Sequence, residues 1–165
     1  VFARRPLSAA LLAALALASG CERPRPWPAR IVLSLHGAAS RPVHGIDVTI
    51  ALPQGTSLAH DAATRRISRA LLAPRQGALS ATVDGTFVPH ATTPFVRVLL
   101  ASREPMRDGE VLALDAVVLS AVSPPRARFE VVKAAISGPG GAAVAGATAW
   151  VSAVDVPSRA PAPPP

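Results

Sequence analysis

Apolar residues in this chain recur mostly with a period of two. In "VHGIDVTIALP", Ile46, Val48, Ile50 and Leu52 alternate with Asp47, Thr49 and Ala51. Successive strand side chains point to opposite faces, so this is the pattern of a strand with one face buried. "RIVLSLHG" sets Ile31, Leu33 and Leu35 against Val32, Ser34 and His36, and "PFVRVLLAS" turns Val96, Val98 and Leu100 inward and Arg97 outward. In "EVLALDAVVLSAV", Leu112, Leu114, Ala116 and Val118 share a face and Asp115 takes the other. "ARFEVVKAAIS" supplies Phe129 and Val131, and "ATAWVSAV" sets Ala149, Val151 and Ala153 opposite Trp150 and Ser152.

Glycine, proline and aspartate punctuate these runs. Asp84-Gly85 lies between two β-prone stretches and predicts a hairpin turn, because both residues tolerate positive φ. Asp108-Gly109 predicts a second turn, and "GPGGAAVAG" a glycine-rich hairpin turn around Gly138–Gly141. The stretch "HDAATRRISRALLA" reads as a loop with one helical turn. A short helix capped by Asp61, with Ala62, Ile67, Ala70 and Leu71 on one side, and a strand followed by a loop are the alternatives. Seven to nine short strands separated by such turns predict an all-β, antiparallel β-sandwich over residues 30–156.

The first twenty residues follow a different rule. Arg4 and Arg5 precede an apolar run, Leu7–Ala18, which ends in the small residues Ala18, Ser19 and Gly20. That is the layout of a secretory signal-peptide helix, too short to span a bilayer. Cys21, the only cysteine, follows directly. The stretch "LASGC" resembles the lipobox of bacterial lipoproteins. In that family the chain is cut before the cysteine, here between Gly20 and Cys21, and the cysteine carries the acyl chains. A thiolate is the side chain nucleophilic enough for that transfer. The resemblance implies an exported protein held on the cell envelope through a lipid anchor, facing the periplasm or the cell surface. The alternative is a plain secretory signal with one stray thiol, which is a liability in an oxidising compartment.

Residues 21–29 read as a tether. Pro24, Pro26 and Pro28 alternate there, which excludes helix and central strand and favours extended polyproline II. At about 3.1 Å per residue the tether would hold the domain roughly 25 Å from the membrane. Trp27 within it either sits at the lipid interface or docks on the domain. Residues 157–165, "PSRAPAPPP", read as a disordered Pro/Ala-rich tail.

Composition changes the picture in two ways. Half of the 165 residues are apolar but tyrosine is absent, so Val, Leu, Ile and Ala build the core, with Phe87, Phe95 and Phe129 as its bulky fillers. The formal charge of +7 invites a nucleic-acid partner. Arginines such as Arg65, Arg66, Arg69, Arg97 and Arg103 are scattered, however, and no aromatic residues interleave with them, so a solvated surface is the better reading and no nucleic acid is expected.

Three stretches in order are similar to the cohesin-like domains of the carbohydrate-binding-module superfamily: "GIDVTIALPQGTSLA", "FVRVLLASREPMRDGEVLALDAVV" and "FEVVKAAISGPGGAAVAGATAWV". The resemblance implies a jelly-roll or immunoglobulin-like sandwich that binds a protein partner or a polysaccharide on a sheet face. Only Trp27 and Trp150 could stack on a sugar ring, so a platform of several aromatic rings is unavailable. The solvent-facing strand residues Asp47, Thr49 and Arg97 are the candidate binding face.

Catalytic chemistry has no pattern to stand on. His36, His44, His60 and His90 are far apart without ligand spacing, which points to no metal. No G-x-S-x-G elbow occurs, and the glycine-rich stretch lacks the Lys-Ser/Thr ending of a phosphate loop. The expectation is a non-catalytic binding module without cofactors, or a structural accessory lipoprotein of an envelope assembly with no ligand of its own.

Overall fold

The computed structural model describes residues 23–156. Gly20, Cys21, the signal segment and residues 157–165 lie outside them. The chain is all-β, with nine strands among the described residues: β1 Arg25–His36, β2 Val43–Ala51, β3 Thr56–Ser57, β4 Leu72–Pro74, β5 Thr82–Val88, β6 Phe95–Met106, β7 Gly109–Ser120, β8 Glu130–Ser137 and β9 Thr148–Asp155. One sheet has the order β3-β7-β1-β9, with β4 also paired to β7, and the other has the order β5-β6-β2-β8. Every strand ladder is antiparallel. For brevity these are the β1 sheet and the β2 sheet.

The two sheets share one core, the layout of a β-sandwich. Ile31, Leu33, Leu35, Leu112, Leu114 and Val118 come from the β1 sheet, and Ile46, Val48, Ile50, Val96, Val98 and Leu100 from the β2 sheet, each at most 2 % exposed. These are the inward residues that the period-two pattern selects. Phe87 and Phe129 are buried fillers, while Phe95 is half-buried. Trp27 docks on the domain, half-buried, with Nε1 donating to the Ser120 carbonyl at 3.1 Å.

Four local expectations fail, each for a physical reason. Residues 25–29 of the segment expected as a tether are strand, because β1 starts at Arg25 and runs in register with β7 from Arg25 opposite Ser120. Prolines two apart place both missing N–H groups on one edge of the strand, and β9 joins β1 only from Arg30 onward. Pro26 and Pro28 therefore sit where the strand has a single neighbour, a position that tolerates proline.

Asp84-Gly85 is not a turn. Both residues lie inside β5, opposite Leu99 and Val98 of β6. Gly85 sits in a tight spot: a Cβ there would lie 3.0 Å from Ile67 Cδ1 and 3.2 Å from Leu72 Cδ1. The Asp108-Gly109 turn does form, with Gly109 at φ +115°.

Ala153 does not face the core. Ser152 is an extra residue in β9, since Val32 pairs with Ala153 but Leu33 with Val151. This bulge reverses the alternation, so Val154 packs against the core instead.

The glycine-rich segment turns, with Gly140 and Gly141 at positive φ, but it does not join a hairpin. It carries the chain from β8 in the β2 sheet to β9 in the β1 sheet. The stretch after Asp61 is a loop, as expected, ending in a 3₁₀ turn at Arg69–Leu71 and the short β4. Asp61 Oδ1 accepts from the Ala63 and Thr64 N–H groups.

Candidate binding face

The outward side of the β2 sheet gathers the three residues singled out from the sequence. Thr49 of β2 lies opposite Arg97 of β6, and Arg97 lies opposite Thr86 of β5. The next row runs Asp84, Leu99, Asp47 from β5 through β6 to β2. A regular ladder fixes this arrangement, because all these positions share the parity that leaves Val48, Val96 and Val98 in the core.

Arg97 reaches diagonally to Asp47, with Nε donating to Oδ1 at 2.9 Å and a terminal nitrogen to Oδ2 at 2.6 Å. A second fork of the same kind joins Arg66 to Asp84, at 3.2 and 2.7 Å. Bidentate pairing of a guanidinium with a carboxylate fixes both side chains in one plane. Hydrogen bonding from Arg97, helped by its charge and that of Lys133, holds the Asp47 carboxyl below its ordinary value. Arg66 does the same for Asp84. Between the forks Leu99 stands 41 % exposed.

The period-two pattern places Asp47, Thr49 and Arg97 on this face, while Arg66, Asp84 and Leu99, which share it, do not stand out in the sequence. Asp84 alternates with Thr82 and Thr86, a strand signal overridden by the turn preference of Asp-Gly. Arg66 has no local signal. It reaches the face because the loop after Asp61 runs along the free edge of β5, with Ile67 N–H bonded to the Gly85 carbonyl and Phe87 N–H to that of Arg65.

The β1 sheet carries a comparable fork, Arg30 to Asp115 at 2.7 and 3.0 Å. Its outward side is less open, since Val32, Ser34 and Ala113 are buried there. On the opposite flank, β8 and β9 end their sheets. Part of that flank is blocked: a small return bridges Ser137 to Ala143, and Arg126 donates to the Val151 carbonyl at 3.0 Å.

The histidines serve separate local structures. His60 packs on Phe87, His44 bonds the Ser102 carbonyl, and His90 caps the turn at Thr92 and Thr93. His36 lies 3.8 Å from Asp108 and edge-on to Trp150. Among the described residues no three His, Cys, Asp or Glu side chains come together as a metal site, and no helix is long and apolar enough to cross a membrane. Comparison with protein families, with curated proteins and with solved structures finds no match to this chain.

Proposed function

We propose that this chain is a lipid-anchored, exported lipoprotein of the bacterial envelope whose cohesin-like sandwich is a non-catalytic binding module for a protein partner. The observation that carries the reading is the exposed, regular face around Leu99. Two rigid arginine–carboxylate forks flank an aliphatic side chain, with the Thr49 and Thr86 hydroxyls beside them. Such a surface offers directional polar groups around an apolar centre and no cleft for a small substrate, which suits a flat macromolecular partner. A polysaccharide is the weaker choice of ligand, because neither tryptophan lies on this face: Trp27 docks at Ser120 and Trp150 stands opposite Ser34. The anchor rests on the lipobox-like "LASGC" before the tether.

Photo-cross-linking tests the face. A cross-linking residue replaces Thr49 in the full chain expressed in its own membrane, and a second replaces Ala73, exposed on β4 of the other sheet. The expected result is one discrete adduct from position 49, absent from position 73 and lost on adding Arg97→Glu. Equal adducts from both positions, or none from either, reject the face. Retention on glycan beads that depends on Arg97 would replace the protein partner by a polysaccharide. A second reading, a structural subunit with no ligand of its own, draws on the sheet edges at β8 and β9, where another chain can add strands.

A further inference from the structure

The outward side of the β1 sheet changes character toward the start of β1. Below the Arg30–Asp115 fork, the next two cross-strand pairs are Pro28 with Val117 and Pro26 with Leu119. All four side chains are exposed, Val117 by 42 % and Leu119 by 54 %, and Val122 just beyond by 62 %. An exposed apolar patch therefore occupies one end of this sheet face, beyond the Arg30–Asp115 fork. Arg23 and Arg25 border it, exposed, and the Arg25 guanidinium lies 4.9 Å from the centre of the Trp27 ring. Arg30 is neutralised by Asp115.

The position of this patch along the chain identifies what covers it. Only Glu22, Arg23 and Pro24 separate Cys21 from the first residue of β1. Four Cα–Cα steps span at most about 15 Å. The polar layer of a bilayer is itself about 5–7 Å deep on each side. An acylated Cys21 thus keeps Arg25, the first residue of β1, within about 10 Å of the outer edge of the polar layer, close enough for this end of the sandwich to touch it.

We propose that the patch formed by Pro26, Pro28, Val117 and Leu119 rests on an anionic lipid surface, seating the sandwich against the bilayer beside its anchor. The aliphatic pairs enter the boundary of headgroups and acyl chains, and Arg23 and Arg25 meet lipid phosphates. Seating fixes the orientation of the module, with the β1 end at the membrane and the loops after His36 and Met106 pointing away. The proposal rests on the lipid-anchor reading of Cys21.

The two tryptophans supply the ruler. Trp27 lies at the same end of β1 as the patch, half-buried on the core side of the sheet, whereas Trp150 stands opposite Ser34, seven residues further along β1, or about 23 Å at strand rise. The full-length protein extracted from its membrane is reconstituted into phosphatidylcholine–phosphatidylglycerol vesicles with brominated acyl chains, as the variants Trp150→Phe and Trp27→Phe. Circular dichroism verifies the fold of each. The expected result is loss of Trp27 emission with none at Trp150. Replacing Val117 and Leu119 together by Glu, both already solvent-exposed, abolishes that loss while acylated chain stays on the vesicles. Equal quenching of both tryptophans, or of neither, in protein whose mass shows acylated Cys21 overturns the seating and leaves the anchor standing. Cross-linking of position 119 to a protein in preference to lipid overturns it too. A mass showing bare Cys21 overturns the anchor reading, and the seating with it.

Discussion

Gly85 separates a turn from a strand, and a double-mutant cycle distinguishes the two. In a tight hairpin turn Asp-Gly holds its glycine at positive φ, where alanine costs roughly 1–2 kcal/mol and no distant side chain is involved. In the structure Gly85 is an ordinary strand residue opposite Val98. Alanine there reduces the freedom of the unfolded chain, which stabilises by about 0.4–1 kcal/mol. Against that, its Cβ would come within 3.0 Å of Ile67 Cδ1 and 3.2 Å of Leu72 Cδ1. Crowding of this kind costs about 1–3 kcal/mol, here near the lower bound because both contacts are the tips of side chains. Gly85→Ala should therefore destabilise by only about 0.5 kcal/mol. Ile67→Val alone removes the crowding atom from a residue 4 % exposed and should cost about 1 kcal/mol. Combined, the two changes fit each other, and the double variant should be about 1 kcal/mol more stable than the sum predicts. Urea denaturation of the wild type and the three variants measures the cycle. Additivity within about 0.3–0.5 kcal/mol would refute the packing argument.

Two leucines on β7 test the division between core and surface. Leu114→Ala empties a site of 0 % exposure and should cost about 2–5 kcal/mol, whereas Leu119→Ala, on the outward patch, should stay within about 0.5 kcal/mol of wild type by urea denaturation. The arginine forks make stability depend on pH. Arg97, Arg66 and Arg30 lower the carboxyls of Asp47, Asp84 and Asp115 from the usual 3.8, so their contribution is complete above that value and is lost as pH falls through the lowered ones. The urea midpoint should fall below about pH 4, and less steeply in the triple variant Asp47→Asn, Asp84→Asn, Asp115→Asn. Because all three forks are solvent-exposed, the difference should also shrink in high salt. A triple variant that follows the wild-type curve would show that the forks add nothing to the fold.

The sequence alone determined the faces of the long strands. Alternation in Ile46–Leu52, Val96–Leu100 and Leu112–Val118 is a local property, since a strand reverses its side chains at each residue whatever it pairs with. It therefore placed Asp47, Thr49 and Arg97 outward. That the three form one ladder with Asp84, Leu99 and Arg66 was decided by tertiary structure, because it depends on the order of strands in the sheet and on a loop that crosses from elsewhere. The same holds where local preference lost. Asp84-Gly85 has turn chemistry, but Ile67 and Leu72 packing against Gly85 keep it in a strand. Pro26 and Pro28 suggest a free tether, but β7 supplies a partner to a strand with one edge open. Ser152 shifts Ala153 outward because its neighbour β1 has one residue fewer to offer. Each reversal comes from a contact between residues far apart in the chain, which periodicity and turn preference, being local, do not encode.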